Sequence, residues 1–113
     1  MRCDLQPLDQ AIQACHACLE AARFLLSPSA EHPHLVLCGV ASQRQLREVL
    51  ARLDSLGIPC RSFCDADFGG EMTALATAPL RGEQRRLMRR YQCLRWDEVR
   101  EQEAGARSEV QLE

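Results

Sequence analysis

The sequence predicts one α/β domain, a two- or three-layered sandwich with helices packed on a small mixed sheet. Three observations lead there. A strand-length apolar run, an amphipathic helix and a second strand follow one another, an order that sets two strands parallel with a right-handed crossover. A further strand follows after only a short turn, close enough to pair antiparallel. A long helix comes before these elements and a short one after them, and layering them against the sheet buries both kinds of element. The chain has 113 residues and 46% hydrophobic content, which suits one core but not two. The domain is read as residues 1–95, with an acidic tail at 96–113.

Each element has its own reason. Residues 2–5 offer a short extra strand. Pro7 stands where a helix can begin, and residues 8–26 carry Leu8, Ile12, Cys15, Leu19 and Ala22 at spacings of three and four, an apolar stripe expected to face the core. Ser27, Pro28 and Ser29 end it. Residues 34–40, HLVLCGV, read as a strand buried on both faces. Ser42 is placed to cap the second helix, whose inward face is Leu46, Val49, Leu50 and Leu53. Arg44, Arg47, Glu48, Arg52 and Asp54 cover its outside, and Gly57 stops it. Residues 58–64 form a strand, 65–70 a turn, 72–78 a strand closed by Pro79, and 82–91 a short basic helix. The tail at 96–113 is polar with little periodicity and is expected to fray or be disordered.

Composition narrows the function classes. No apolar run approaches the roughly 18 residues that span a bilayer, so no membrane role is expected. The N-terminus has no basic region followed by an apolar stretch, and a cytoplasmic protein is expected. Aromatics are only 4%, so Leu, Val, Ala, Ile and Cys must build the core. Seven cysteines cannot all pair within one chain, and reduced thiols acting as small buried hydrophobes are the default reading. All 14 basic residues are Arg, which a GC-rich genome would explain. One chemical consequence is that no amine is present to act as a base, a Schiff-base former or a point-charge phosphate ligand.

Four groups of residues are candidates for chemistry. Cys15 and Cys18, with Cys60, Cys64, His16, His32 and His34, invite a zinc or redox reading. The first pair lies inside a helix, however, and zinc knuckles hold their pair in a tight turn, so structural thiols and no metal are expected. His16 borders the apolar stripe; it is either a structural histidine or, with a carboxylate nearby, a general acid–base group. The turn with Asp65, Asp67, Gly69 and Gly70, followed by Glu71 and Thr73, is either an ordinary connector or the strand-end loop where open α/β sheets carry their chemistry. Arg81, Arg85, Arg86, Arg89, Arg90 and Arg95 are opposed only by Glu83. They form either a phosphate- and RNA-binding patch or a solvated face offset by the acidic tail.

Several short motifs share the order of one family. Ala11-Ile12-Gln13-Ala14-Cys15-His16-Ala17 resembles the A-x-Q-x-x-H-A helix of type II peptidyl-tRNA hydrolases. Arg2-Cys3-Asp4-Leu5 resembles their R-x-D-L, and Leu56-Gly57-Ile58-Pro59 their A-G-I/L-P. Asp65-Ala66 is similar to their D-A-G turn, and the run Thr73-Ala74-Leu75-Ala76-Thr77-Ala78-Pro79 to T-V-L-G-I-G-P. The resemblance covers residues 2–94. It implies a small mixed four-stranded sheet with helices on both faces, and hydrolysis of the ester that joins a peptide to the terminal ribose of tRNA. It implies that His16 positions or activates water or holds the substrate, that the Asp65 region supplies a carboxylate, and that Thr73 helps align the ester. The arginines Arg81, Arg85, Arg86, Arg89 and Arg90 would meet tRNA phosphates on charge alone. No cofactor is implied.

Three departures qualify the resemblance. The family's K-G-K stretch before the histidine is replaced by Leu8-Asp9-Gln10. Its T-Q-I-x-P-G loop is missing, with Gly69-Gly70-Glu71 as a shorter link, so Asp65 and Asp67 both stay candidates for the carboxylate. The chain starts almost at R-x-D-L, leaving a short first strand and a sheet edge that invites pairing into a homodimer. A tRNA- or protein-binding member of the same fold, weak or inactive in catalysis, is the alternative expectation.

Overall fold

Local sequence decides most of the element ends. A computed structural model of the chain describes residues 1–28 and 33–93. The order is α1 (Pro7–Leu25), β1 (Cys38–Gly39), α2 (Gln43–Ser55), β2 (Cys60–Asp65), a 3-10 turn (Ala66–Phe68), β3 (Glu71–Thr77), α3 (Glu83–Leu87) and β4 (Gln92–Cys93). His32, Arg95 and the tail at 96–113 lie outside the described residues.

Helix α2 starts and stops as its residues dictate. The Ser42 hydroxyl accepts the Gln45 N–H at 3.3 Å, satisfying an amide of the first turn. At the other end Gly57 takes φ 70°, and its N–H reaches Asp54 O at 3.1 Å while Ile58 N–H reaches Leu53 O at 3.0 Å. This is a Schellman termination, completed by packing of Ile58 on Leu53.

The regular strands form two antiparallel ladders. Strands β2 and β3 pair antiparallel, as do β1 and β4. The N-terminal segment lies between them: Arg2 bridges Val40 in parallel, Cys3 N–H donates to Val40 O at 2.7 Å, and Arg2 N–H donates to Thr73 O at 3.2 Å. The expected strand at 2–5 is thus a single bridge, and each regular ladder has two strands.

Alternation along the β2–β3 hairpin sends residues to two faces. On one, Ala74, Ala76 and Phe63 pack with Met1, Ala14 and Ala17 of the N-terminus and α1. On the other, Leu75 and Cys60 pack with Val49 and Leu53 of α2, Ile58, and Leu87, Met88 and Tyr91 around α3.

Four expectations are corrected. Helix α1 is rolled by about half a turn from the expected orientation. Gln10, Gln13, Ala17 and Ala21 are buried, whereas Leu8, Ile12 and Leu19 are 72%, 43% and 66% exposed. The alanines let the helix approach Ala74 and Ala76 closely, and the two buried amides find partners. Gln10 Nε2, for example, donates to Leu5 O at 2.7 Å. The expected strand at 34–40 shrinks to β1 and the Val40 bridge. Leu35 and Val36 are 81% and 69% exposed, because no neighbouring backbone among the described residues takes up that stretch. The basic helix at 82–91 is α only over Glu83–Leu87; beyond it, bonds such as Arg89 N–H to Arg86 O (3.2 Å) and Tyr91 N–H to Met88 O (3.1 Å) tighten the chain into turns. The thiols are not buried hydrophobes either: Cys15, Cys18, Cys64 and Cys93 are exposed, and Cys3, Cys38 and Cys60 are half-buried.

Candidate active site

The site is built where α1 crosses the bulged end of the hairpin. In the ladder Phe63 faces Ala74 but Cys64 faces Met72, so Thr73 is an extra residue in β3. A bulge of this kind breaks alternation and re-aims a side chain. It turns Thr73 toward α1, where its hydroxyl donates to Gln13 Oε1 at 2.6 Å. Thr73 and Gln13 are 0% and 2% exposed.

The other end of the same amide holds the carboxylate. Gln13 Nε2 donates to Asp65 Oδ2 at 2.8 Å, and the Asp67 N–H donates to Asp65 Oδ1 at 2.8 Å. The turn that supplies that N–H is closed by Gly70 N–H to Asp65 O (2.9 Å), with Gly69 at φ 67°, a conformation glycine takes without strain. The Asp67 amide first, then Gln13, then the nearby His16, keep the Asp65 carboxyl below the usual carboxylate range. Asp65 is therefore the carboxylate turned to α1. The Asp67 side chain is exposed, and its contribution here is through its backbone.

His16 follows Gln13 by one turn, and residues at that spacing share a helix face. Its ring lies flat on Phe63, with centroids 4.5 Å apart and planes 10° apart. Stacking fixes the plane of the imidazole and leaves both ring nitrogens at its edge, off the Phe63 face. A half-buried imidazole beside a carboxylate that stays ionised is an arrangement suited to general base chemistry.

Arg2 braces the site from the N-terminus. It is 8% exposed, and its guanidinium grips Asp4 (Nε–Oδ1 3.0 Å, Nη2–Oδ2 2.7 Å) and Glu71 Oε2 (2.6 Å) while donating to Met72 O at 3.3 Å. These bonds tie residues 2–4 to the start of β3, next to Thr73.

The arginine group lies elsewhere. Arg81, Arg85, Arg86, Arg89 and Arg90 are all exposed, and among the described residues only Arg86 of this set is ion-paired, to Glu83 at 3.5 Å. Leu87 and Met88 anchor this segment on the α2 side of the hairpin, the opposite face from His16. Among the described residues no group of three or more His, Cys, Asp or Glu side chains could hold a metal ion. No helix is long and apolar enough to cross a membrane among those residues.

His16, Asp65 and Thr73 thus meet through Gln13, while Asp67 stays outside and the arginines sit apart. Gln13 and Phe63 were missed as site residues by reasoning from residue type. Gln13 was visible only as the Q of the motif that contains His16. None of the family models, curated proteins and solved structures compared with the chain matches it.

Proposed function

We propose that the chain hydrolyses the ester bond of peptidyl-tRNA or a related aminoacyl ester without a metal. The observation that carries this reading is the Gln13 amide, which joins Thr73 to Asp65 one helical turn from His16. The order of the R-x-D-L, A-x-Q-x-x-H-A and D-A motifs supports the choice of substrate. On this reading the four-stranded sheet of the resembled family is approached by the N-terminal bridge to Val40 and its bond to Thr73.

In the proposed reaction, His16 takes a proton from water as the water oxygen bonds to the ester carbonyl carbon. Asp65, kept ionised by the Asp67 and Gln13 N–H groups, stabilises the imidazolium that forms. The tetrahedral intermediate then collapses with cleavage of the carbon–ribose oxygen bond. His16 returns its proton to that oxygen, releasing peptide and tRNA. Thr73 is buried, so it acts through Gln13 rather than on the ester. The test is incubation of the full chain with peptidyl-tRNA, scored for released peptide. Turnover above background supports the reading, and its absence overturns it.

A second reading, binding of tRNA without cleavage, is favoured by the exposed arginines around α3 and by the missing family lysine. It retains salt-sensitive tRNA binding with no peptide release.

A further inference from the structure

The half-turn roll of α1 leaves an apolar face uncovered. A helix advances about 100° per residue, so Leu8, Ile12, Cys15 and Leu19 lie about 170° from the centre of the buried face formed by Gln10, Gln13, Ala17 and Ala21. These four are exposed, as is Ala22. Their spacing of four, three, four and three is the a/d seam of a coiled coil. A helix that buries its alanines and glutamines and presents its leucines lacks, among the described residues, a cover for the larger apolar surface.

The charges beside the seam select the cover. On one flank the residues at this heptad position are Asp9, His16 and Arg23, with the acid near the N-terminus and the base near the C-terminus. Among the described residues neither Asp9 nor Arg23 is in an ion pair. A second copy running parallel would set this flank against the partner copy's Ala11, Cys18 and Leu25, where neither Asp9 nor Arg23 meets an opposite charge. One running antiparallel sets each Asp9 beside the partner copy's Arg23 and opposes the two helix dipoles. It also matches apolar layers: Ile12 opposite the partner copy's Ala22, and Leu19 opposite its Cys15.

We infer that the exposed seam of α1 is the interface of a homodimer in which two copies pair antiparallel through this helix. The contact is about 28 Å long for a helix of 19 residues, which is small for a stable interface. Its dissociation constant is therefore expected on the order of micromolar. His16 lies at the middle of the charged flank, so pairing sets the two His16–Phe63 stacks near the dyad. This interface is a different surface from the sheet edge, and it does not depend on the catalytic reading.

Sedimentation equilibrium of the full chain across the micromolar range tests it. The mass is expected to rise from 12.7 kDa toward twice that value. Leu19→Asp, at an exposed position, is expected to hold the chain at the monomer mass with an unchanged circular dichroism spectrum. Asp9→Arg alone and Arg23→Asp alone are each expected to weaken association about tenfold, and the double exchange to restore it. A constant monomer mass overturns the inference. So does a dimer indifferent to Leu19→Asp, or a double exchange that fails to recover association, which would point to another occupant or orientation.

Discussion

Gln13 on α1 donates to Asp65 at the end of β2 at 2.8 Å, across 52 positions of sequence. Because the same amide accepts from Thr73 at 2.6 Å, one buried side chain fixes both the carboxylate and the bulged strand. Replacing Gln13 with Ala would leave the buried Thr73 hydroxyl only its longer contact with Phe63 O at 3.4 Å and would release Asp65. The expected cost is about 1–3 kcal/mol of folding stability, read by urea denaturation. Ester cleavage should fall as well, by more than in a surface control such as Gln45→Ala.

The Asp65 carboxyl makes stability depend on pH in a known direction. Its folded value is depressed, so its contribution is fully present above the ordinary aspartate value of about 3.9. That contribution is lost as pH falls from there through the lower folded value. Asp65→Asn removes the dependence. Wild type is therefore expected to lose stability faster than the variant as pH drops below about 4, measured by thermal melts across acid pH.

The roll of α1 predicts opposite outcomes on its two faces. Ala17 is 1% exposed against the sheet, so Ala17→Leu should cost about 1–3 kcal/mol by overpacking. Ile12→Asp, measured at a concentration low enough to keep the chain monomeric, should stay within about 0.5 kcal/mol of wild type. Equal damage from both would mean that the apolar stripe is buried after all.

Neutralising Arg85, Arg86, Arg89 and Arg90 tests the tRNA contact that either functional reading can use. If these exposed side chains meet tRNA phosphates, changing all four to Gln should reduce affinity and flatten its salt dependence, measured by filter binding from low to moderate salt. Unchanged binding would remove the arginines from the interface. His16 lies on the other face of the hairpin, so its role is judged separately.

The parts that were legible in the sequence are those set by neighbours in the chain. Ser42 and Gly57 marked the ends of α2 because capping and a Schellman turn are local. The inward face of Leu46, Val49 and Leu53 followed from their spacing. The acidic turn and His16 were picked out, but residue type alone left Asp65 and Asp67 equivalent. Only the hydrogen bond from Gln13, distant in sequence, tells them apart. The roll of α1 was hidden for a related reason. Hydrophobicity favours burying Leu8, Ile12 and Leu19, whereas close approach to Ala74 and satisfaction of two amides depend on contacts that spacing does not reveal. The strand expected at 34–40 had the composition of a strand but, among the described residues, has a ladder partner only at its end.

The central claim is that His16, held on Phe63 and beside Asp65, drives ester cleavage. The most direct measurement is single-turnover release of peptide from peptidyl-tRNA by wild type, His16→Ala, Asp65→Asn and Asp67→Ala. The account predicts cleavage by wild type and Asp67→Ala, and losses of about a hundredfold or more in His16→Ala and Asp65→Asn with native-like circular dichroism. Wild-type rates in folded His16→Ala, or no cleavage by the wild type, would contradict it.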